Sequence, residues 1–87
     1  MSKFRKKPVV IEAVQWRGNN LTEILHFMKE KSEEVYTGSA DKSLLIPTLE
    51  GNHRADISDW IIKGVKGEFY LCKPDIFEQT YELEEEK

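Results

Sequence analysis

Residues 57–77 read ISDWIIKGVKGEFYLCKPDIF and contain the pattern that decides the fold. Two runs rich in β-branched and aromatic residues, 60–63 and 68–71, flank Gly64-Val65-Lys66-Gly67. Glycine supplies the positive φ that tight turns need, so the stretch predicts a β-hairpin. The alternative for this glycine spacing is a phosphate-binding loop. That loop requires a helix after the glycines, whereas a predicted strand follows them here.

Outward from this hairpin, the sequence patterns predict one helix among short strands. After Asn20, the segment LTEILHFMKEK places apolar residues at i, i+3, i+4 and i+7, and Asn20 with Glu23 has the spacing of a capping box. A helical turn is expected where Asp75 precedes Glu78. Further strands are predicted over Pro8–Trp16, Val35–Thr37, Ser43–Leu49, Arg54–Ile57 and Thr80–Leu83. This order predicts an α+β fold with a mainly antiparallel sheet.

The chain length and the cysteine content limit the class of protein. At 87 residues the chain is predicted to form one domain, 1–87, and a partner or a second copy is a candidate source of further stabilisation. Cys72 is the single cysteine and cannot close a disulfide within the chain. The N-terminus lacks the apolar run of a signal peptide, and no stretch approaches the length of a membrane span. A soluble cytoplasmic protein with no membrane partner is the expectation.

Charge is separated along the chain rather than concentrated on one predicted element. Basic residues gather at positions 3–7, and residues 82–87 form an acidic, predicted flexible tail that accounts for the net charge of −3. The rest of the chain is neutral, whereas a protein that binds phosphate backbones normally has a basic excess. Nucleic acid is therefore not an expected partner, and the charged ends are interpreted as solvated or as lying near one another.

The residue types needed for catalysis are present, but their spacing matches no catalytic or metal-binding motif. Cys72 is the candidate thiol nucleophile, with His53 or His26 as its base, and such a pair also needs a third group that orients the base. Asp56 and Asp59 bracket a predicted turn, where aspartate commonly bonds backbone amides. We therefore interpret the sequence as that of a protein that is not an enzyme and that has no cofactor and no metal site.

Aromatic and basic side chains are the stronger candidates for a binding site. Because side chains alternate along a strand, Phe69 and Tyr70 must face opposite ways, so one of them is predicted to be at least partly exposed. An exposed ring beside a cation suits a planar anionic ligand or a partner surface, while the alternative for each ring is the core. The predicted binding residues are Trp16, Arg17, Trp60, Lys63, Lys66, Tyr70 and Lys73.

Three blocks of sequence resemble one protein family. The blocks are KFRKKPVVIEAVQW, LIPTLEG and DWIIKGVKGEFYLCKPDIFEQTYE, in this order along most of the chain. Together they are similar to a widespread family of small bacteriophage and prophage proteins without an assigned activity. The chain departs from the family in having Ile57-Ser58-Asp59 in place of a Pro-Gly-Asp turn, and Leu71 in place of a proline. The resemblance implies a phage accessory product that acts in the host cytoplasm, and it carries over no catalytic residue.

Three functions remain open from the sequence. The first is a counter-defence factor that inhibits a host protein by binding it directly. The second is an oligomeric sponge that sequesters a nucleotide immune signal, since so short a chain would need a homo-oligomer to build a deep pocket. The third is a small hydrolase, whose activity should disappear when Cys72 or Asp59 is changed to alanine.

Overall fold

Six strands, two α-helices and one 3₁₀ helix form an α+β fold in the computed structural model, which describes residues 1–3, 10–38 and 41–82. The fold class predicted from the sequence is confirmed. The elements run in the order β1 (Glu12–Gln15), α1 (Leu21–Met28), the 3₁₀ helix (Lys29–Glu34), β2 (Tyr36–Thr37), β3 (Leu44–Thr48), β4 (Gly51–Ala55), β5 (Trp60–Lys63), β6 (Phe69–Cys72) and α2 (Pro74–Thr80).

The strands form two antiparallel sheets of three strands each. The first sheet has the order β1-β5-β6, and the second sheet has the order β2-β3-β4. In the first sheet, Ile61 lies opposite Val14 on one side and Leu71 on the other. The predicted hairpin is confirmed: the Gly67 N–H bonds the Gly64 carbonyl at 3.0 Å, and Gly67 has φ +83°.

The main core lies where α1 and the inner faces of the two sheets meet. Helix α1 contributes Ile24 and Met28, which lie four residues apart and therefore share one face of the helix. The opposite face of the helix is exposed at Thr22 and His26. The buried side chains of this cluster are those of Trp16, Ile24, Met28, Leu44, Ile46, Ala55, Ile61 and Phe69.

The start of α1 differs from the predicted capping box. Asn20 occupies the N-cap position, but its side chain makes no bond to the helix backbone. Its Oδ1 accepts the Arg17 N–H at 2.9 Å, while its Nδ2 donates to the Gln15 carbonyl and to the Glu23 carboxylate. The amide therefore closes the turn that joins β1 to α1, and Glu23 bonds the Asn20 side chain instead of its backbone N–H.

The C-terminal end of the chain corrects a second expectation. A strand was predicted for Thr80–Leu83, but Thr80 ends helix α2, and Tyr81 and Glu82 belong to no strand. Helix α2 runs further than one turn because Pro74 fits the first helical position and because Phe77 packs on Trp60 of the sheet. Leu83 and the rest of the acidic tail lie outside the described residues.

Other predicted strand bounds also change. The strand predicted over Ser43–Leu49 is present as Leu44–Thr48, and the run 68–71 is present as the strand Phe69–Cys72. The first predicted strand, Pro8–Trp16, is present only as Glu12–Gln15, and its first two residues lie outside the described part of the chain. The returning strand predicted over Arg54–Ile57 begins earlier, at Gly51, and ends at Ala55. It ends there because residues 56–59 form a turn in which the Asp59 N–H bonds the Asp56 carbonyl at 3.0 Å. The strand predicted over Val35–Thr37 begins one residue later.

Candidate functional site

A cleft lies between strand β4 of the second sheet and the end of strand β6 of the first sheet, and we call it the β4–β6 cleft. Its volume is about 430 Å³, which is within the usual range for ligand pockets. One wall is formed by residues 52–54 of β4. The other is formed by the last two residues of β6 and by Lys73, which follows that strand, and the buried Asp59 completes the lining. The lining residues are Asn52, His53, Arg54, Asp59, Leu71, Cys72 and Lys73.

Asp59 holds one end of the cleft together. Its side chain is almost fully buried, and its Oδ2 accepts the Asp56 N–H at 2.9 Å and the Lys73 ammonium at 3.0 Å. Its backbone joins the same region to β1, because its carbonyl accepts the Trp16 N–H at 2.8 Å. The interpretation of Asp59 as a turn aspartate that bonds a local backbone amide is confirmed, and the ammonium is an additional partner.

The other charges at the cleft form ion pairs that connect the two sheets. The Arg54 guanidinium contacts the Asp56 carboxylate at 2.8 Å and the Asp41 carboxylate at 2.9 Å. The second oxygen of Asp56 lies 3.4 Å from the Lys73 ammonium. The hydrogen bond from Arg54 lowers the pKa of Asp56, and the hydrogen bond to Asp59 raises the pKa of Lys73. At neutral pH these groups are therefore charged and already paired with one another.

The structure brings the candidate catalytic residues Cys72, His53 and Asp59 to the same cleft. A thiol nucleophile requires a lowered pKa and a base in hydrogen-bond contact. Burial, followed by the charges of Asp75 and Asp59, instead raises the pKa of the Cys72 thiol. Among the described residues, the side chains of His53 and Cys72 make no hydrogen bond to each other. The three residues share a cleft without the geometry that would activate the thiol.

Trp16 and Arg17, the first two predicted binding residues, follow β1 and do not line the cleft. Trp16 is 4% exposed, and its indole N–H donates to the Lys42 carbonyl at 2.8 Å. Its ring belongs to the main core, so it presents no face to a ligand. For Trp16 the core is therefore the correct one of the two predicted locations. Arg17 is exposed next to it, but its guanidinium contacts the Glu23 carboxylate at 3.1 Å.

Two predicted aromatic residues lie on the outer face of the first sheet, under α2. The Trp60 ring stacks on Phe77 with a centroid distance of 4.1 Å and an interplanar angle of 7°. Phe77 in turn contacts Tyr81 at 4.9 Å. Tyr70 is 38% exposed and Phe69 on the same strand is buried, so the predicted alternation is confirmed. Burial, followed by a hydrogen bond with Tyr81, raises the pKa of the Tyr70 phenol.

The predicted lysines are spread over the chain rather than gathered around one ligand. Lys66 is exposed at the tip of the hairpin, and its backbone N–H donates to the Glu68 carboxylate at 3.1 Å. Lys63 is half-buried at the end of β5. Lys73 is the member of the predicted binding set that lines the β4–β6 cleft.

Asn52, Arg54 and Leu71 line the cleft but are not among the residues that the sequence patterns assign to a site. Their contribution depends on which strands are neighbours, because β4 and β6 come from different hairpins and different sheets. The available signal was the polar run GNHR next to a predicted turn, which is typical of an exposed edge strand. The pairing of Arg54 with Asp56 was also predictable from their spacing of two residues along an extended backbone.

Within 1–3, 10–38 and 41–82, histidine, cysteine and acidic side chains form no group of three that could hold a metal ion. The helices in the same ranges are all too short or too polar to cross a membrane.

Comparison of the chain with protein-family models, with curated proteins and with solved structures finds no match. The resemblance to the bacteriophage and prophage family therefore stays a prediction that rests on the three sequence blocks. The β4–β6 cleft has to be interpreted from its own geometry and charges.

Proposed function

We propose that the protein is a non-catalytic accessory protein that acts by binding another protein. The observation that carries the proposal is the internal pairing of the charges at the β4–β6 cleft. A site that captures an anionic ligand by charge keeps cations free for it, whereas Arg54 and Lys73 are each bonded to two carboxylates of the same chain. The cleft is left to recognise a partner by shape and by uncharged hydrogen-bonding groups.

The state of the ionisable groups supports binding over hydrolysis. A general acid or base works best with a pKa near the working pH. Here the pKa of Asp56 is lowered and the pKa of Cys72 is raised, so each pKa lies further from neutral pH than its ordinary value. Each group therefore keeps one protonation state through the neutral range.

The resemblance to phage and prophage proteins indicates the first partners to test. We propose that the partner is a host protein, encountered in the host cytoplasm, and that binding inhibits it as part of counter-defence. The exposed apolar side chains of Tyr36 and Leu45, on the outer face of the second sheet, offer additional contact area.

The experiment is affinity capture from a host lysate followed by reconstitution with the purified candidate. The expected result is one host protein that binds directly, at a fixed stoichiometry by native mass spectrometry. Direct binding is then compared between the wild type and Lys73→Glu, which places a carboxylate at the rim of the cleft. If the candidate binds both proteins equally, the cleft is not its site.

Nucleotide sequestration is a second candidate, and the cleft volume of about 430 Å³ is the observation that favours it. A sponge would retain a nucleotide after purification, and its melting temperature would rise across a panel of nucleotides. Under the protein-binding proposal the panel leaves the melting temperature unchanged. A nucleotide that stabilises the wild type but not Lys73→Glu would replace the first proposal with the second.

A further inference from the structure

Strand β4 has a free edge, and the position of Pro47 identifies the residues that form it. Antiparallel strands alternate between pairs that exchange backbone hydrogen bonds and pairs that do not. Pro47 lacks an N–H and lies opposite Asn52 in the β3–β4 register, so this must be a non-bonded pair. Asn52 and, two residues on, Arg54 therefore direct their backbone N–H and C=O groups away from β3.

Strand β6 has a free edge of the same kind. The Gly64 N–H bonds the Glu68 carbonyl at 2.8 Å, which fixes the alternation along the β5–β6 pair. Tyr70 and Cys72 therefore bond β5, whereas Phe69 and Leu71 direct their backbone groups away from it. Lys73 follows the strand, and its carbonyl already accepts the Phe77 N–H of α2 at 2.8 Å, so its backbone offers only the N–H. Neither β4 nor β6 has a second strand neighbour within the described residues.

Both free edges border the β4–β6 cleft. The outward-directed residues Asn52, Arg54 and Leu71 all line it, and Lys73 adds its N–H at the end of the β6 wall. The two strands also run in the same direction. Gly51 and Asn52 share a smaller neighbouring cleft with Glu68 and Phe69, and the later residues of both strands share the β4–β6 cleft. One extended segment could therefore run antiparallel to both strands and bond each of them.

We propose that the β4–β6 cleft binds an unpaired extended segment of a partner protein as an added strand. The inference rests on the proposed protein-binding function and specifies its mode. Backbone donors and acceptors that alternate along both walls are matched by another main chain, which offers the same alternation.

The occupant has to be a segment that is not already part of a sheet. A strand inserted between two edges needs both of its own edges free, and each described strand of this chain is paired along at least one edge. A second copy therefore cannot supply one of its described strands. The apolar Leu71, the neutral Cys72 thiol and the paired charges on the walls select uncharged side chains in the added strand.

The inference is tested with a library of random linear peptides of about seven residues, the length of an ordinary strand. Selected peptides are measured against Asn52→Pro and Asn52→Ala. Proline lacks the outward-directed N–H, and because that N–H makes no bond to β3, the substitution leaves the β3–β4 hydrogen bonds intact. Alanine keeps the N–H. We expect Asn52→Pro to bind about tenfold more weakly than Asn52→Ala. Arg54→Pro and Arg54→Ala form a second matched pair in case Asn52→Pro does not fold.

Two further measurements show whether the contact is made through the main chain. N-methylation of the peptide should weaken binding at alternate positions only, because alternate N–H groups of a strand point to opposite neighbours. On binding, the amide protons of Asn52, Arg54 and Leu71 should become protected from exchange with solvent. Equal binding by both members of each matched pair, tolerance of every N-methyl group, or a library without binders would overturn the inference.

Failure of this inference can be distinguished from failure of the proposed function. A host protein that binds Asn52→Pro and Asn52→Ala equally would leave protein binding intact and exclude strand addition. A doubled native mass, with the same amides protected in the absence of peptide, would assign the cleft to a second copy and overturn the inference.

Discussion

The two sheets have the same number of strands but are covered differently. In the first sheet Ile61 and Ile62 are both buried, although they are adjacent and face opposite sides. In the second sheet Leu44 and Ile46 are buried, while Leu45 between them is 40% exposed. The first sheet is therefore covered on both faces, by the main core and by the segment with α2, and the second sheet is covered on one face.

This difference shows what an apolar run means in a small domain. A continuous apolar run predicts a strand buried on both faces, and an alternating run predicts a strand with one wet face. WIIK follows the first rule because α2 packs Phe77 on Trp60 and covers the outer face. LLIP has the composition of a buried run, yet Leu45 on its outer face remains exposed.

The largest expected effect compares Ile61→Ala with Leu45→Ala. Ile61→Ala removes a fully buried side chain from a central strand and should lower the free energy of unfolding by about 3 to 4 kcal/mol. Leu45→Ala should cost less than about 1 kcal/mol because the side chain is already largely in water. Urea unfolding monitored by circular dichroism measures both. Equal losses would mean that the outer face of the second sheet is also covered in solution.

Trp60→Ala tests the cover on the first sheet. We expect the free energy of unfolding to fall by about 2 to 3 kcal/mol. This is below the roughly 3 to 5 kcal/mol for truncation of a fully buried ring, because Trp60 is only half-buried. A double-mutant cycle with Phe77→Ala should show a coupling of about 1 kcal/mol for the stacked pair. Additive losses would mean that the two rings do not stack in solution. Ile76→Ala, an exposed position on the same helix, is the control.

Ser58→Gly tests the turn that carries the chain from the second sheet to the first. Ser58 has φ +86° at the third position of the Asp56–Asp59 turn, where a type II turn favours glycine. Relief of the left-handed strain, reduced by the entropy cost of glycine, should raise the free energy of unfolding by about 0.5 to 1 kcal/mol. Ser58→Ala keeps the strain and should bring no gain. A loss of stability in Ser58→Gly would show that the serine side chain outweighs the strain.

The smallest expected effect concerns the ion pairs that join the two sheets at Asp56. The pKa of Asp56 is lowered in the folded state, chiefly by the hydrogen bond from Arg54. Its stabilising effect is therefore complete above the unfolded value of about 4 and is lost as the pH falls through the lower folded pKa. The difference in urea midpoint between the wild type and Asp56→Asn should shrink as the pH is lowered below about 4. A constant difference would exclude the carboxylate charge as its cause.

The sequence predicted the local elements better than their contacts. The β5–β6 hairpin and helix α1 follow from glycine positions and from a helical apolar repeat, which are local properties. The strand predicted at Thr80–Leu83 was wrong because the helix there depends on a distant ring, that of Trp60. Of the predicted binding residues, Lys73 lines the cleft, and Trp16 lies in the core. An aromatic residue near the end of a strand fits either the core or a binding surface, and the residues packed around it determine which of the two it occupies.

The amino-acid sequence by itself determined the α+β class, the antiparallel hairpin and the helix, because backbone preferences and apolar periodicity act over a few residues. Tertiary structure alone decided that β4 and β6 face each other across a cleft. It also decided that Lys73 pairs with Asp56 and Asp59. These contacts join residues that are far apart in the sequence, and their energies depend on distances and burial that no local pattern encodes.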